Sequence, residues 1–262
     1  VLGAFGMDYY WVNENRTRKP FRYGDFNIGE TLRDTEDARK EIADWIGTEK
    51  QRLNEKMAKE CDTIVAGLYE YLAIYEPLFP KKTEFIPFPI VCDDDTPTIE
   101  FHKDGEPIKI FIGINKSRSA YKGTDIMLKA AKEVESKYPD KLKLMVVESV
   151  PFDEYRKLMM SCDAIVDQLY SYTPSMNPLE AMSHGLICIG GGEPENYEVL
   201  NETELRPIVN VEPTFKSVYS QIENMVLHPE NISTMQRQSI EYIRKHHDYI
   251  KVAKQYEKLY MK

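Results

Sequence analysis

Two stretches hold side chains whose types and spacing could do chemistry. In GINKSRSAYKGTD (113–125) a strand ends at Gly113. A loop carrying Lys116, Arg118 and Lys122 then leads into a helix with Thr124 as its expected N-cap. Backbone amides at a helix start donate hydrogen bonds and nearby cations neutralise charge, so this arrangement suits a diphosphate. A solvated basic loop is the plainer alternative, and the G-x-x-x-x-G-K-[ST] spacing of a P-loop is absent. In SYTPSMNPLEAMSHG (171–185) Asn177 is the expected N-cap, Pro178 the first helical residue and Glu180 the third. The N-x-x-E spacing makes Glu180 a capping-box side chain on physical grounds alone. Downstream, Gly190, Gly191 and Gly192 leave room for close backbone approach. They do not complete G-x-G-x-x-G, which rules out a dinucleotide oxidoreductase.

The elements that must position these residues follow an alternating grammar. From Ile108 the chain reads as strand (108–114), helix (124–138), strand (141–150), short helix (151–161), strand (163–169), helix (178–185), strand (186–190), short helix and a last strand at RPIVNV. On the first helix Ile126, Ala130 and Val134 share a face, and Gly185 is placed to end the helix before it as a C′ glycine. Strands apolar on both faces, separated by helices, imply a parallel sheet covered on both sides. Three helices, 213–227, 231–246 and 249–260, close the chain. Residues 50–90 repeat the pattern, and the polar, acidic stretch 91–107 with two prolines reads as a linker.

Two stretches share most of their letters: CDTIVAGLYEY from Cys61 and CDAIVDQLYSY from Cys162 match at seven of eleven positions. Two α/β halves joined by one linker, 1–92 and 93–262, account for this; burial of any two such strands is the competing explanation.

Bulk composition agrees with a globular α/β protein. The chain has 262 residues, 42% hydrophobic and 29% charged, long enough for one or two domains with proper cores. A net charge of −9 argues against a nucleic-acid partner. No apolar run approaches the roughly 20 residues needed to span a bilayer. Cys61, Cys92, Cys162 and Cys188 form no C-x-x-C pair and sit in apolar runs, as buried reduced thiols in a cytoplasmic protein would. No His, Asp or Glu cluster has metal-ligand spacing, so no metal is expected. VLGAFGMDYYW has no basic region or cleavage pattern and reads as a strand and turn starting in mid-structure, with an upstream piece expected.

GINKSRSAYKGTD, SCDAIVDQL and NPLEAMSHGLICIGGGEPE, in this order, resemble the donor-binding half of a family 4 (GT-B type) retaining glycosyltransferase. The closing RKHHDYIKVAKQYEKLY is also similar. The resemblance covers about 81–262, and residues 1–80 look like the tail of the family's acceptor-binding half. It implies a GT-B-like α/β fold: a Rossmann-like parallel sheet domain with helices on both faces, plus a partial second one.

It further implies that Arg118 and Lys122 hold a donor diphosphate and that Glu180 accepts from ribose hydroxyls. The amides of Ser175, Met176 and Asn177 would face phosphate or sugar, with Gly113, Gly191 and Gly192 around the donor. One departure stands out: the family's first carboxylate, eight residues before Glu180, is here Tyr172. A tyrosine can hydrogen-bond a hydroxyl but cannot stabilise positive charge at an anomeric carbon. Asp167 on the preceding strand is a substitute candidate, with burial as a strand-end Asp the alternative. The implied activity is metal-free, retaining transfer from a nucleoside diphosphate sugar to a glycan or lipid-linked acceptor. Its setting would be bacterial surface polysaccharide assembly, in the cytoplasm and compatible with peripheral association at the inner membrane. A sugar-nucleotide epimerase on the same fold and a catalytically silent binding module are the alternatives.

Overall fold

The computed structural model describes residues 1–115 and 119–261. The first half runs β1 (Leu2–Ala4), α1 (Tyr9–Thr17), β2 (Asn27–Ile28), β3 (Thr31–Leu32), α2 (Glu36–Trp45), α3 (Glu49–Glu60), β4 (Ile64–Ala66), α4 (Tyr69–Tyr75) and β5 (Thr83–Phe85). Its parallel sheet has the order β1-β4-β5, while β2 and β3 pair as a small antiparallel hairpin.

The second half continues with β6 (Ile108–Ile114), α5 (Ser119–Lys122), α6 (Thr124–Lys137), β7 (Leu142–Glu148), α7 (Phe152–Met159), β8 (Ala164–Val166), α8 (Met176–Ser183), β9 (Ile187–Gly190), α9 (Pro194–Val199), β10 (Val209–Asn210), α10 (Phe215–Leu227), α11 (Ile232–His246) and α12 (Tyr249–Tyr260). The five strands are parallel in the order β10-β9-β8-β6-β7. The period-2 alternation of β6 explains its two covered faces. Ile108, Ile110 and Ile112 pack with Met127, Ala130 and Val134 of α6, and Phe111 packs oppositely with Met159 and Ala181. Gly185 ends α8 at φ 99°, its N–H bonded to the Met182 carbonyl, as expected of a C′ glycine.

Each copy of the repeated unit contains one strand, β4 or β8, which occupies the interior of its sheet; the first copy then enters α4 and the second a turn. The two copies also meet. Glu70 and Ser171 hold equivalent positions, and Ser171 Oγ donates to Glu70 Oε1 at 3.1 Å. The connections leaving β4 and β8 therefore face each other. The last helix ties the halves together as well: Val252 and Leu259 of α12 pack on Val65 and Ile86 of the first half. Its start is fixed by Ile90, which donates to the His247 carbonyl at 2.7 Å and accepts from Tyr249 N–H at 3.1 Å.

Candidate functional site

The candidate site lies where the loops after β6 and β8 meet. Lys122 ends α5, and its Nζ lies 3.3 Å from Asp167 Oδ1, just past β8. Ser175 Oγ donates to the other oxygen, Asp167 Oδ2, at 3.2 Å. One carboxylate thus orients an ammonium group and the residue that opens α8. Lys122 remains partly exposed while Asp167 is nearly covered.

Gly123 explains why glycine follows this lysine. It adopts φ 72°, and a β-carbon there would lie 2.7 Å from Leu169 Cβ and 2.8 Å from the Tyr170 ring. The bond from Leu169 N–H to the Lys122 carbonyl, 2.9 Å, locks the two loops together. Gly123 is also the N-cap of α6, one residue before the expected Thr124, because only the left-handed turn lets α5 run straight into α6.

The expected start of α8 needs correction too. The N-cap is Ser175, extended at φ −82°, ψ −176°, so Asn177 and Pro178 lie inside the first turn. The capping-box geometry for Glu180 is therefore lost. Glu180 sits beyond the first turn, 38% exposed, with Oε1 3.5 Å from Arg156 Nε. The Asn177 side chain instead pairs with the Tyr155 hydroxyl, Nδ2 donating at 3.1 Å. Ser175 makes no side-chain cap bond, since its hydroxyl is turned to Asp167, and Pro178 supplies no N–H. The amides of Met176 and Asn177 open the helix without a side-chain cap, which suits an anion.

The structure divides the candidate residues among several places. Lys122, Tyr172 and Ser175 line a cleft of about 290 Å³ between the halves, facing Gly6, Met7 and Asp25. Glu180 and Met176 line a neighbouring groove of about 450 Å³, walled by Arg156 and the start of the linker from Pro89 to Pro97. Gly113 lies under the Tyr155 ring, which a β-carbon would strike at 2.7 Å. Gly191 and Gly192 are packed against the protein itself: a β-carbon on Gly192 would collide with Ile208 at 2.6 Å, and one on Gly191 with the Ser171 carbonyl. Arg118 lies outside the described residues.

Tyr172 is almost fully buried. Its ring packs with Phe21, Tyr23 and Tyr69, and its hydroxyl accepts from Arg22 N–H at 2.8 Å. Burial raises its pKa first of all, so it stays a neutral phenol. The ring serves as a plug between the halves.

Several residues at the cleft could not be found from local pattern. Arg22 bonds Glu193 at 2.6 Å and Glu195 at 2.8 Å. Asp25 accepts from the Tyr121 hydroxyl at 2.5 Å. Glu70 and Arg33 reach the loops of the second half from the first. Only Glu70 had a sequence signal, as the acid standing where the second copy has Ser171.

Burial pushes the Asp25 carboxyl up to about 6, against the lowering pull of Tyr121 and Arg33. An acid whose folded pKa exceeds its unfolded one stabilises the fold at low pH and loses that contribution as pH rises through the folded value. Asp25→Asn should therefore unfold at higher denaturant than the parent above pH 6, by about 2–3 kcal/mol, with the gain vanishing near pH 4. The mutant-minus-parent difference is the quantity to measure, because buried His247, held down to about 4 by burial, has the opposite slope. An equal gain at both ends of the range would contradict this assignment.

Among the described residues, no group of three or more His, Cys, Asp or Glu could hold a metal, and no helix is long and apolar enough to cross a membrane.

No protein-family model and no curated protein matches the sequence. Solved structures do resemble it. A TarM variant of S. aureus, in complex with fondaparinux, α-GlcNAc-glycerol and UDP, superposes with a TM-score of 0.58 at 12% identity, over 81% of this chain and 46% of that one. HepE of Anabaena with UDP and glucose gives 0.58 at 11%, over 80% and 66%. The pneumococcal O-GlcNAc transferase GtfA with UDP and GlcNAc gives 0.56 at 12%, over 81% and 47%. The fold is GT-B-like. The chain spans between about half and two thirds of the length of these structures. What the chain shares with them is the fold, a mixed α/β architecture of parallel sheets flanked by helices, as the sequence leads one to expect.

Proposed function

We propose that this chain carries the donor site of a glycosyltransferase of the family 4 retaining type, using a nucleoside diphosphate sugar. The observation that carries the reading is the joining of Lys122, Asp167 and Ser175 beside the first turn of α8, at the carboxyl ends of parallel strands. Ligands of open α/β sheets gather at such ends. Lys122 and the α8 amides would take the charge that grows on the departing diphosphate, with Arg118 added from the same loop. No metal is needed for that step. Glu180, freed from capping, would accept from ribose hydroxyls in the groove beside the linker. The three similar structures were solved with UDP, which supports the donor class. The acceptor would be a glycan or a lipid-linked sugar of surface polysaccharide assembly, handled by a cytoplasmic enzyme that can visit the inner membrane.

One observation favours a second reading, a silent sugar-nucleotide-binding module. Tyr172, where the family places a carboxylate, is buried and already bonded to Arg22. Incubation with a labelled nucleoside diphosphate sugar and acceptor separates the two: release of nucleoside diphosphate with sugar transfer marks the enzyme, and binding without turnover the module.

Glu180→Gln tests the ribose assignment. Its exposed pairing with Arg156 is worth little to stability, so unfolding should change by less than about 1 kcal/mol. Affinity for a nucleoside diphosphate should fall by roughly 1–2 kcal/mol through loss of the charged acceptor. Unchanged affinity, measured calorimetrically, would remove Glu180 from the site.

A further inference from the structure

Two side chains of the first half grip the two loops that form the proposed diphosphate site. Glu70, at the start of α4, is buried against the turn between β8 and α8. Its Oε1 accepts from Tyr172 N–H at 2.8 Å, Thr173 N–H at 3.1 Å and Ser171 Oγ at 3.1 Å, and its Oε2 from Thr173 Oγ1 at 2.5 Å. From the other side the Glu193 N–H bonds the Tyr172 carbonyl at 3.1 Å. The turn that delivers Ser175 and the α8 amides is fixed between them.

Arg33 does the same for the lysine loop. Its Nη2 donates to the carbonyls of Ala120, 2.8 Å, and Tyr121, 3.1 Å, immediately before Lys122. Its Nη1 donates to the Gly24 carbonyl at 2.9 Å, and its guanidinium lies 3.5 Å from the Tyr170 ring centroid. A planar fork that binds two carbonyls and stacks on a ring holds direction as well as distance. Glu70 lines the same cleft as Lys122 and Ser175 but spends both carboxylate oxygens on the turn, and Arg33 stands outside that lining.

We infer that Glu70 and Arg33 are positioning residues for the diphosphate site, so that the first half sets the donor affinity of the second. This rests on the donor-site reading above. Lys122 and the α8 amides must converge on one anion, and an error of a fraction of an ångström in either loop costs hydrogen bonds that only the anion makes. A loosened loop should therefore weaken the diphosphate and spare the nucleoside, whose contacts would lie along Glu180 and the linker groove.

The test is calorimetric titration of UDP, GDP and ADP, each beside its nucleoside, into the parent and into Arg33→Ala, Arg33→Lys and Glu70→Gln. For whichever diphosphate binds the parent best, Arg33→Ala and Glu70→Gln should weaken it by about tenfold or more, the equivalent of one good hydrogen bond. Nucleoside affinity should stay within about twofold, and Arg33→Lys should recover part of the loss, since one carbonyl contact survives. A purely structural role would lower both affinities together or only the melting temperature, and that result overturns the inference while leaving the donor site intact. A parent that binds none of the three diphosphates overturns the donor reading and this inference with it. If Glu70→Gln does not fold, the Arg33 pair decides.

Discussion

Glu193→Ala should melt well below the parent, with a loss of about 3 kcal/mol. The Glu193 carboxylate is nearly covered and accepts from the Tyr23 hydroxyl, from Asn210 Nδ2 at 3.1 Å and from Arg22 Nη2 at 2.6 Å. Removing it strands the Tyr23 hydroxyl inside the protein, and an orphaned buried group costs about 1–3 kcal/mol; the half-buried Asn210 amide also loses a partner. Arg22 is more than half exposed and keeps Glu195, so its share of the loss is small. Thermal unfolding should shift by roughly 5–10 °C for a chain of this size. Burial raises the Tyr23 hydroxyl far above its ordinary range, with Glu193 adding to the shift, so the phenol stays a protonated donor through neutral pH. An unchanged melting temperature would mean the halves are not joined through this carboxylate.

Gly191→Ala should be as damaging by a different route. The added methyl would press into the Ser171 carbonyl and lie 3.0 Å from Thr173 N. Both are backbone atoms of the turn that Glu70 also holds, in part through the same Thr173 N–H, so the turn cannot yield without disturbing those bonds. Overpacking of this kind costs about 1–3 kcal/mol, and the upper end is expected against backbone. The displaced turn should carry Ser175 with it, so nucleotide affinity should fall together with stability in urea unfolding. A stable Gly191→Ala that binds as the parent does would show that the turn has slack.

These contacts mark the boundary of what the sequence could reveal. From Ile108 onward the strands and helices lie within a few residues of the pattern read from apolar spacing, because each element buries a regular face. The last helix, Tyr249–Tyr260, has the bounds that spacing predicts. In the first half, α1 was missed because its buried face includes Glu14 and Asn15, which blur the apolar period. The hairpin of β2 and β3 has two residues per strand and no alternation to read. The start of α8 was placed two residues late because Asn177-Pro178 imitates a cap, while Asp167 takes the Ser175 hydroxyl that would otherwise announce one.

Lys122 was legible because loop, lysine and glycine are adjacent in sequence. Arg22, Arg33, Asp25 and Glu193 were not, since their partners in the opposite half are from 87 to 173 residues away. The glycine run was legible as a need for close approach, but what approaches Gly191 is the Ser171 carbonyl and Thr173 amide of the same chain. The repeated letters fall on the central strand of each sheet but diverge after it: residues 69–71 open α4, residues 170–172 lie in the turn before α8, and Glu70 of the first copy grips that turn.

The central claim is that a nucleoside diphosphate is held at Lys122 and the start of α8. Isothermal titration of UDP, GDP and ADP into the parent and into Lys122→Ala tests it most directly. At least one diphosphate should bind the parent, and Lys122→Ala should weaken it by about 1–3 kcal/mol, the range for a charge-assisted hydrogen bond, with melting temperature little changed. Equal affinity in parent and Lys122→Ala, or no binding to the parent, would contradict the account.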